Sequence, residues 1–404
     1  MNKHIEIGST DIELIDGDRG KNYPHQNELL PEGDCVFLSA NNVTIDGFKF
    51  DSVVYITAEK DRALRNGKIQ RGDIVITTRG TVGNVAYYDQ RIPYDDVRIN
   101  SGMLIVRCHE QIKSEFLYYV LRGTEFQQQI KQMQTGTAQP QLPKSHFVKM
   151  KIVVPNAETQ EKIAKVLRII DKKIENNKCI NENLLEQALA VYKAWFCEYV
   201  LSDGIRPESW SNTTIEELST LVTRGVAPKY DDNSDQIVLN QKCIRDHTID
   251  LSLARRHLPK KINEKWITKG DLLINSTGTG TLGRVAQVWF DANNMTVDSH
   301  VTIVRPKDSI LQGYLGFWGL SHESEIEAQH TGSTGQTELP RDRVKSMELP
   351  QPDEDTLRKF NELIIPLTSA IVSNQEENAR LSQIRDALLP KLMSGEIDVS
   401  DLGI

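Results

Sequence analysis

RGDIVITTRGTVGNVAYYD (Arg71–Asp89) and KGDLLINSTGTGTLGRVAQVWFD (Lys269–Asp291) are two versions of one plan, set apart by a period near 197 residues. In each, a Gly-Asp turn feeds an apolar run, a Gly/Thr-rich loop interrupts it, and a second apolar run follows, which predicts strands joined by tight loops. The correspondence continues outward. INSGMLIVR (Ile99–Arg107) returns as VDSHVTIVR (Val297–Arg305), and TGTAQPQLPKSHFVKMKIVVP (Thr135–Pro155) as TGSTGQTELPRDRVKSMELPQP (Thr331–Pro352). A long helical pattern follows each copy. The order is therefore β-rich domain (residues 1–155), helix (156–200), β-rich domain (201–352), helix with a C-terminal tail (353–404), an α+β chain with an internal pseudo-twofold repeat. Residues 1–70 resemble 206–268 only faintly, so one scaffold carries two different surfaces.

In the first helical stretch Ile163, Leu167, Ile170, Ile174, Asn177, Asn181, Leu184, Ala188, Val191 and Trp195 follow alternating steps of four and three, the seam of a coiled coil. Leu357, Phe360, Ile364, Leu367, Ile371, Asn374, Asn378, Leu381, Arg385, Leu388 and Leu392 repeat those steps in the second. Both asparagines recur 197 residues on. Antiparallel helices related by a pseudo-twofold axis pair residues whose numbers share a constant sum, and 555 fits the seams. Asn177 is then expected opposite Asn378, Asn181 opposite Asn374, Ile174 opposite Leu381 and Leu184 opposite Ile371, with Ile170 and Arg385 the one poor match. Helices that merely pack on their own domains, with ordinary exposed asparagines, are the alternative. An interior proline costs a helix about 3 kcal/mol, so a kink or restart is expected at Pro366, with 354–365 a separate short helix.

The 404-residue chain is too long for one core. Its 39% hydrophobic and 26% charged residues suit a soluble protein, and no run reaches the roughly 18 apolar residues of a membrane span. Residues 1–30 hold no apolar signal core, so a cytoplasmic location is expected, with no membrane partner. Cys35, Cys108, Cys179, Cys197 and Cys243 form no CxxC pair, and Cys243 with His247 is only half a metal motif, so no metal site is expected. A net charge of −8 argues, as a sum, against nucleic acid. Its distribution argues otherwise. Between Lys242 and Lys269 eight Lys and Arg face three acids, which reads either as a phosphate-facing stripe or as a solvated surface.

Gly278, Gly280 and Gly283 spell GxGxxG, but RVAQVWF follows where a dinucleotide site needs a helix N-terminus, and the first copy lacks the pattern. Walker, amino-methyltransferase and nuclease signatures are missing from the sequence. Recognition equipment remains. RGTVGN (Arg79–Asn84) and TGTGTLGR (Thr277–Arg284) combine glycines with hydroxyls, amides and guanidinium groups that bond phosphates and base edges. The candidate nucleic-acid contacts are Arg79, Thr81, Asn84, Arg91, Arg98 and Gln139 in the first copy. In the second they are Arg245, His247, Arg255, Arg256, Lys260, Lys261, Thr277, Thr279, Arg284, Gln336 and Arg341. Taken singly, each loop residue reads more readily as a turn brace than as a base contact, and the basic stripe reads also as a solvated face.

The twofold plan, the TG(T/S)xxQxxLP-like blocks, EKIAKVLRIIDKKI (Glu161–Ile174) and, most specifically, RDALLPKLMSGEI (Arg385–Ile397) resemble the specificity subunits of type I restriction-modification systems over nearly the whole chain. The resemblance implies two target recognition domains that each read one half of a split, asymmetric target in double-stranded DNA, separated by two long antiparallel helices acting as a coiled-coil spacer. It implies two methyltransferase subunits as partners and, where restriction is present, two motor-nuclease subunits. S-adenosylmethionine, and ATP with Mg, would belong to those partners, with no cofactor and no catalytic residue in this chain. A scaffold whose two β modules bind proteins is the alternative, and an enzyme with an unrecognised site stands behind it.

Overall fold

A computed structural model of the chain describes residues 4–136, 139–258, 262–278, 280–332 and 337–399. Two compact units emerge: residues 1–174 with 378–404, and residues 175–377. Each unit contains the same pair of sheets. In the first, Glu13–Asp16, Met103–Arg107, Ile74–Thr77 and Val85–Tyr87 are adjacent in that order, all antiparallel. In the second the order is Ser219–Arg224, Val301–Pro306, Leu272–Asn275 and Val285–Gln287. The smaller sheet joins Val54–Ile56, Cys35–Leu38 and Val97–Ile99 in one unit, and Arg255–Arg256, Ile237–Leu239 and Met295–Val297 in the other, with a parallel pairing at the same place in both.

The apolar runs are continuous rather than alternating because the larger sheet is covered on both faces. Ile74, Ile76, Leu104 and Val106 enter a core with Phe116, Phe126, Ile163 and Leu167, while Val75, Met103 and Ile105 enter one with Val36, Leu38 and Val97. The second unit divides its strands alike: Leu272, Ile274 and Val304 join Tyr314, Phe317 and Phe360, and Leu273, Val301 and Ile303 join Leu239 and Ile267.

A buried ion pair recurs in the two units. Arg107 makes two 2.8 Å contacts with the Asp73 carboxylate, and Arg305 reaches Asp271 at 2.9 and 2.7 Å. These aspartates are those of the GD turns and the arginines those of the IVR blocks, so a bidentate bridge fastens the same two strands in each copy.

The long helices run Ala157–Tyr192 and Glu354–Ser394, and every seam position described above is buried or half-buried. The expected break at Pro366 does not occur: one helix runs through it. Pro366 lies on the exposed face, as does Glu362, whose carbonyl loses its donor, so that group is left toward solvent. Phe360, Ile364 and Ile371 hold the opposite face in the core on both sides of the proline. Burial of such side chains at about 1.5–3 kcal/mol each exceeds the proline penalty.

Within the second unit Asn374 Nδ2 donates to Asn181 Oδ1 at 2.8 Å, Asn181 Nδ2 to the Ile371 carbonyl at 3.3 Å, and Asn177 Nδ2 to Glu377 at 2.7 Å. Leu184 is half-buried there and Ile371 buried. Within the first unit Asn378 Nδ2 donates to the carbonyl of the buried Ile174 at 3.4 Å, and Leu381 is half-buried. Arg385, the poor match, meets not an apolar layer but Asp171 at 2.7 Å, and Arg122 approaches the same carboxylate at 3.3 Å. The neighbouring carboxylates and hydrogen bonds hold the Arg385 guanidinium above its ordinary pKa against the desolvation of the site.

Candidate nucleic-acid interface

In each unit three loops meet at one end of the larger sheet. In the first, the glycine loop between Thr77 and Val85 is closed by Gly83 N donating to the Thr77 carbonyl at 3.0 Å, and Thr77 Oγ1 donates to the Thr81 carbonyl. Gly80 and Gly83 take φ of 72° and 98°, a conformation that admits few other residues. Leu142 N donates to the Thr78 carbonyl at 2.9 Å, and Arg79 pairs with Gln141, which also bridges Thr135. The third element is the hairpin Val43–Thr44/Gly47–Phe48, whose Val43 carbonyl accepts from Asn84 Nδ2 at 2.9 Å.

The second unit repeats this assembly with other side chains. Gly283 N donates to the Asn275 carbonyl at 2.8 Å, Leu339 N to the Ser276 carbonyl at 2.9 Å, and Thr277 pairs with Glu338, which bridges Thr331. Asn275 Nδ2 donates to the Gln241 carbonyl at 3.0 Å, beside the hairpin Ile244–Arg245/Thr248–Ile249. Thr277 Oγ1 meets His300 Nδ1 at 2.7 Å and Gln241 Oε1 at 3.3 Å.

Among the sequence-derived candidates, Arg79, Thr81 and Gln139 are exposed on the first cluster. Asn84 is half-buried, with its amide donated inward as a loop brace. Arg91 is exposed and lies at the other end of the Ile74–Thr77/Val85–Tyr87 hairpin, bonded to Asp89 at 2.7 Å. Arg98 requires correction. It is 5% exposed, with Nε on Asp61 at 2.8 Å and its other nitrogens on the Asn66 and Asp61 carbonyls, so it has no route to DNA. Val97 and Ile99 face the core between the sheets, so Arg98 points to the other face of the smaller sheet, where the helix Ala58–Ala63 and the loop after it make it an internal brace.

In the second cluster Thr277 and Arg284 are half-buried, Arg245 is exposed, and Arg341 is exposed at the start of a short helix two residues beyond Leu339. His247 Nε2 lies 3.2 Å from Glu323, whose other oxygen accepts from Val285 N at 2.7 Å, so it ties the hairpin to the sheet. Arg255 and Arg256 form the strand paired with Ile237–Val238, which leads into Asn240 and Gln241. Arg255 stacks over exposed Tyr230 at 3.4 Å, and Arg256 donates to the Ser234 carbonyl at 2.6 Å. Lys260, Lys261, Thr279 and Gln336 lie outside the described residues.

Gln241 and His300 escaped the sequence reading. His300 was discoverable, since it occupies the place of Gly102 in the INSG/VDSH alignment. Beneath it, burial pushes the Asp298 carboxyl up despite the His300 N–H it accepts at 2.9 Å. Asn100 accepts the Gly102 N–H at 2.9 Å in the equivalent turn of the first unit.

Residues 11–186 match the type I restriction modification DNA specificity domain. The chain is 27% identical to the type I restriction enzyme MjaIX specificity subunit of Methanocaldococcus jannaschii, covering 82% of this chain and 79% of that one. It is 22% identical to the HindI specificity subunit of Haemophilus influenzae, covering 94% and 98%. The crystal structure of a type I restriction-modification S subunit from M. genitalium shares the fold at a TM-score of 0.53 and 16% identity, over 96% of this chain and 95% of that one. The family domain matches the first copy directly, the second copy rebuilds its sheets strand for strand, and relatives align across both: the chain is similar to type I restriction-modification specificity subunits along most of its length.

Proposed function

We propose that this DNA sequence recognition subunit reads an asymmetric, bipartite target, one half with each loop cluster, and positions partner subunits on it. The recognition domains are residues 1–155 and 201–352, with the long helices as the spacer between the half-sites. Two methyltransferase subunits carry S-adenosylmethionine and the chemistry; where a restriction activity is present, two motor-nuclease subunits add ATP and Mg. The chain itself contributes no catalytic residue.

The supporting observation is the doubled loop cluster: the same backbone bridges frame it in both units, at Arg79–Gln141–Thr135 and Thr277–Glu338–Thr331, while the side chains presented differ. A scaffold kept constant beneath a varied surface suits two half-sites of unlike sequence, because phosphate contacts fix position and base-edge contacts carry the information. Mapping methylated adenines in a genome with and without this gene tests it. A two-part motif that disappears with the gene is expected; an unchanged methylation map overturns the reading.

A further inference from the structure

We infer that the loop Asp16–Lys21, together with Arg65, is a binding site for the DNA sugar-phosphate backbone on the first unit. The inference rests on the DNA-reading function proposed above and assigns the loop a sequence-independent role within it.

The loop is built around a buried carboxylate. Asp18 is 5% exposed and accepts from Gly20 N at 2.7 Å and Arg65 N at 2.8 Å; these backbone donors, Gly20 first, hold its pKa below the usual aspartate range. Asn22 Nδ2 donates to the Ala63 carbonyl at 2.9 Å, and Tyr23 N to that of Gly20 at 3.0 Å. A side chain is excluded at Gly17, where a Cβ would lie 2.0 Å from the Asn100 carbonyl oxygen, whereas at Gly20 a Cβ would meet the exposed Arg65 guanidinium at 2.7 Å, placing that cation directly over the loop. The negative charge is therefore turned inward and bonded, while Arg19, Lys21 and Arg65 surround Gly20 on the outside.

Arg19 and Arg65 side chains are 52% and 77% exposed, and Lys21 is exposed. The acids beside them are Asp16, 3.8 Å from Arg19 and 40% exposed, and the inward-turned Asp18, 3.9 Å from Arg65 Nε. The cations adjoin the recognition cluster through one turn: Arg19 donates to the Ser101 carbonyl at 3.2 Å, and Arg79 N donates to the Gly102 carbonyl at 3.1 Å. A duplex whose base edges meet Arg79 would bring its backbone toward Arg19.

The second unit uses the same position differently. Gly225 is packed as tightly as Gly17, its Cβ meeting the Val297 carbonyl oxygen at 1.9 Å, and the chain after it presents exposed Lys229 and Tyr230, with Arg255 over the ring. Lys229 thus stands four residues after Gly225 as Lys21 stands four after Gly17, although the local sequences are unrelated, and a cation at that place in both units favours the shared ligand, the phosphate backbone, over a partner protein seated on one unit.

The test compares the full-length protein with Arg19→Ala/Arg65→Ala on a random-sequence duplex and on a duplex carrying the methylation-mapped motif, across a salt titration. The expected variant has a log K against log salt slope shallower by about one to two, since each lost phosphate contact removes roughly 0.9, and an unchanged ratio of motif to random affinity. An unchanged slope overturns the inference, and so does loss of methyltransferase co-purification with the slope intact, which marks a protein-facing patch. Should the double variant not fold, Arg19→Gln/Lys21→Gln leaves Arg65 over Gly20 and is read by the same slope. A wild-type protein without salt-dependent DNA binding refutes the proposed function itself, whereas normal wild-type binding with an unaltered variant refutes only this site.

Discussion

At the scale of single residues, position in the sheets separates arginines that the sequence cannot tell apart. Arg79 and Arg98 are both solitary arginines near turns, yet one projects from a glycine loop and the other, set between Val97 and Ile99, is enclosed with Asp61. Arg98→Ala leaves Lys68 on that carboxylate at 2.8 Å but strips the Asn66 and Asp61 carbonyls of this donor, a loss of about 1–3 kcal/mol. Denaturant unfolding should show that loss at unchanged salt slope for the fraction that remains folded; a wild-type midpoint with weakened DNA binding would return Arg98 to the interface. Asp298 offers a prediction of opposite sign. Its folded pKa is raised above 3.8 by burial, so its ionisation opposes folding at pH above the folded value and costs nothing below the unfolded one. Asn100 makes the equivalent turn bond in the first unit. Asp298→Asn should therefore raise Tm at pH 7, and the gain should vanish as pH falls below the unfolded aspartate value near 3.8. A lower Tm at pH 7 refutes the account.

At the scale of elements, the helices rest on polar layers as well as apolar ones. The Asn374–Asn181 bond connects two seam positions in the second unit, and an amide left without its partner there costs about 1–3 kcal/mol, more than the bond contributes net. Asn181→Leu and Asn374→Leu alone should each destabilise, while the double replacement recovers part of the loss, so a double-mutant cycle should give a coupling of about 1 kcal/mol or more. Additive losses would mean that the amides act separately. The seam itself was legible in the sequence because helical spacing is local. What Arg385 meets was not: Asp171 lies more than two hundred residues away in the chain, and its partner Arg122 belongs to a different helix. Pro366 was misread for a related reason, since the cost of a helix proline is local but the packing that outweighs it is tertiary. Likewise the GD and IVR blocks were each visible as repeats, while the Arg107–Asp73 and Arg305–Asp271 bridges joining them appear only once the strands are side by side.

At the scale of the whole molecule, a modular reader predicts that one recognition domain can be exchanged without altering the half-site read by the other, and the fold dictates where the exchange must be cut. A segment from Arg206 to Val344 carries the strand Ser211–Thr214 but not its partner Glu348–Gln351, which lies beyond that end. Cutting at Val344 would pair a foreign strand with a native one and divide the buried Val344–Leu349 region of the core. Cutting after Gln351 keeps the pair together. It leaves Phe196 and Phe360, which pack with Tyr314 of the exchanged segment, as the surface that the incoming domain must fit. An exchange of Arg206–Gln351 with a relative that retains aromatic residues at that contact should fold, associate with the methyltransferase subunits and change one half of the methylated motif alone; the shorter exchange ending at Val344 should unfold at a lower denaturant concentration. The comparison is made by methylation mapping and unfolding of the two chimaeras, and a change in both half-sites by the longer exchange would show that the two copies do not read DNA independently.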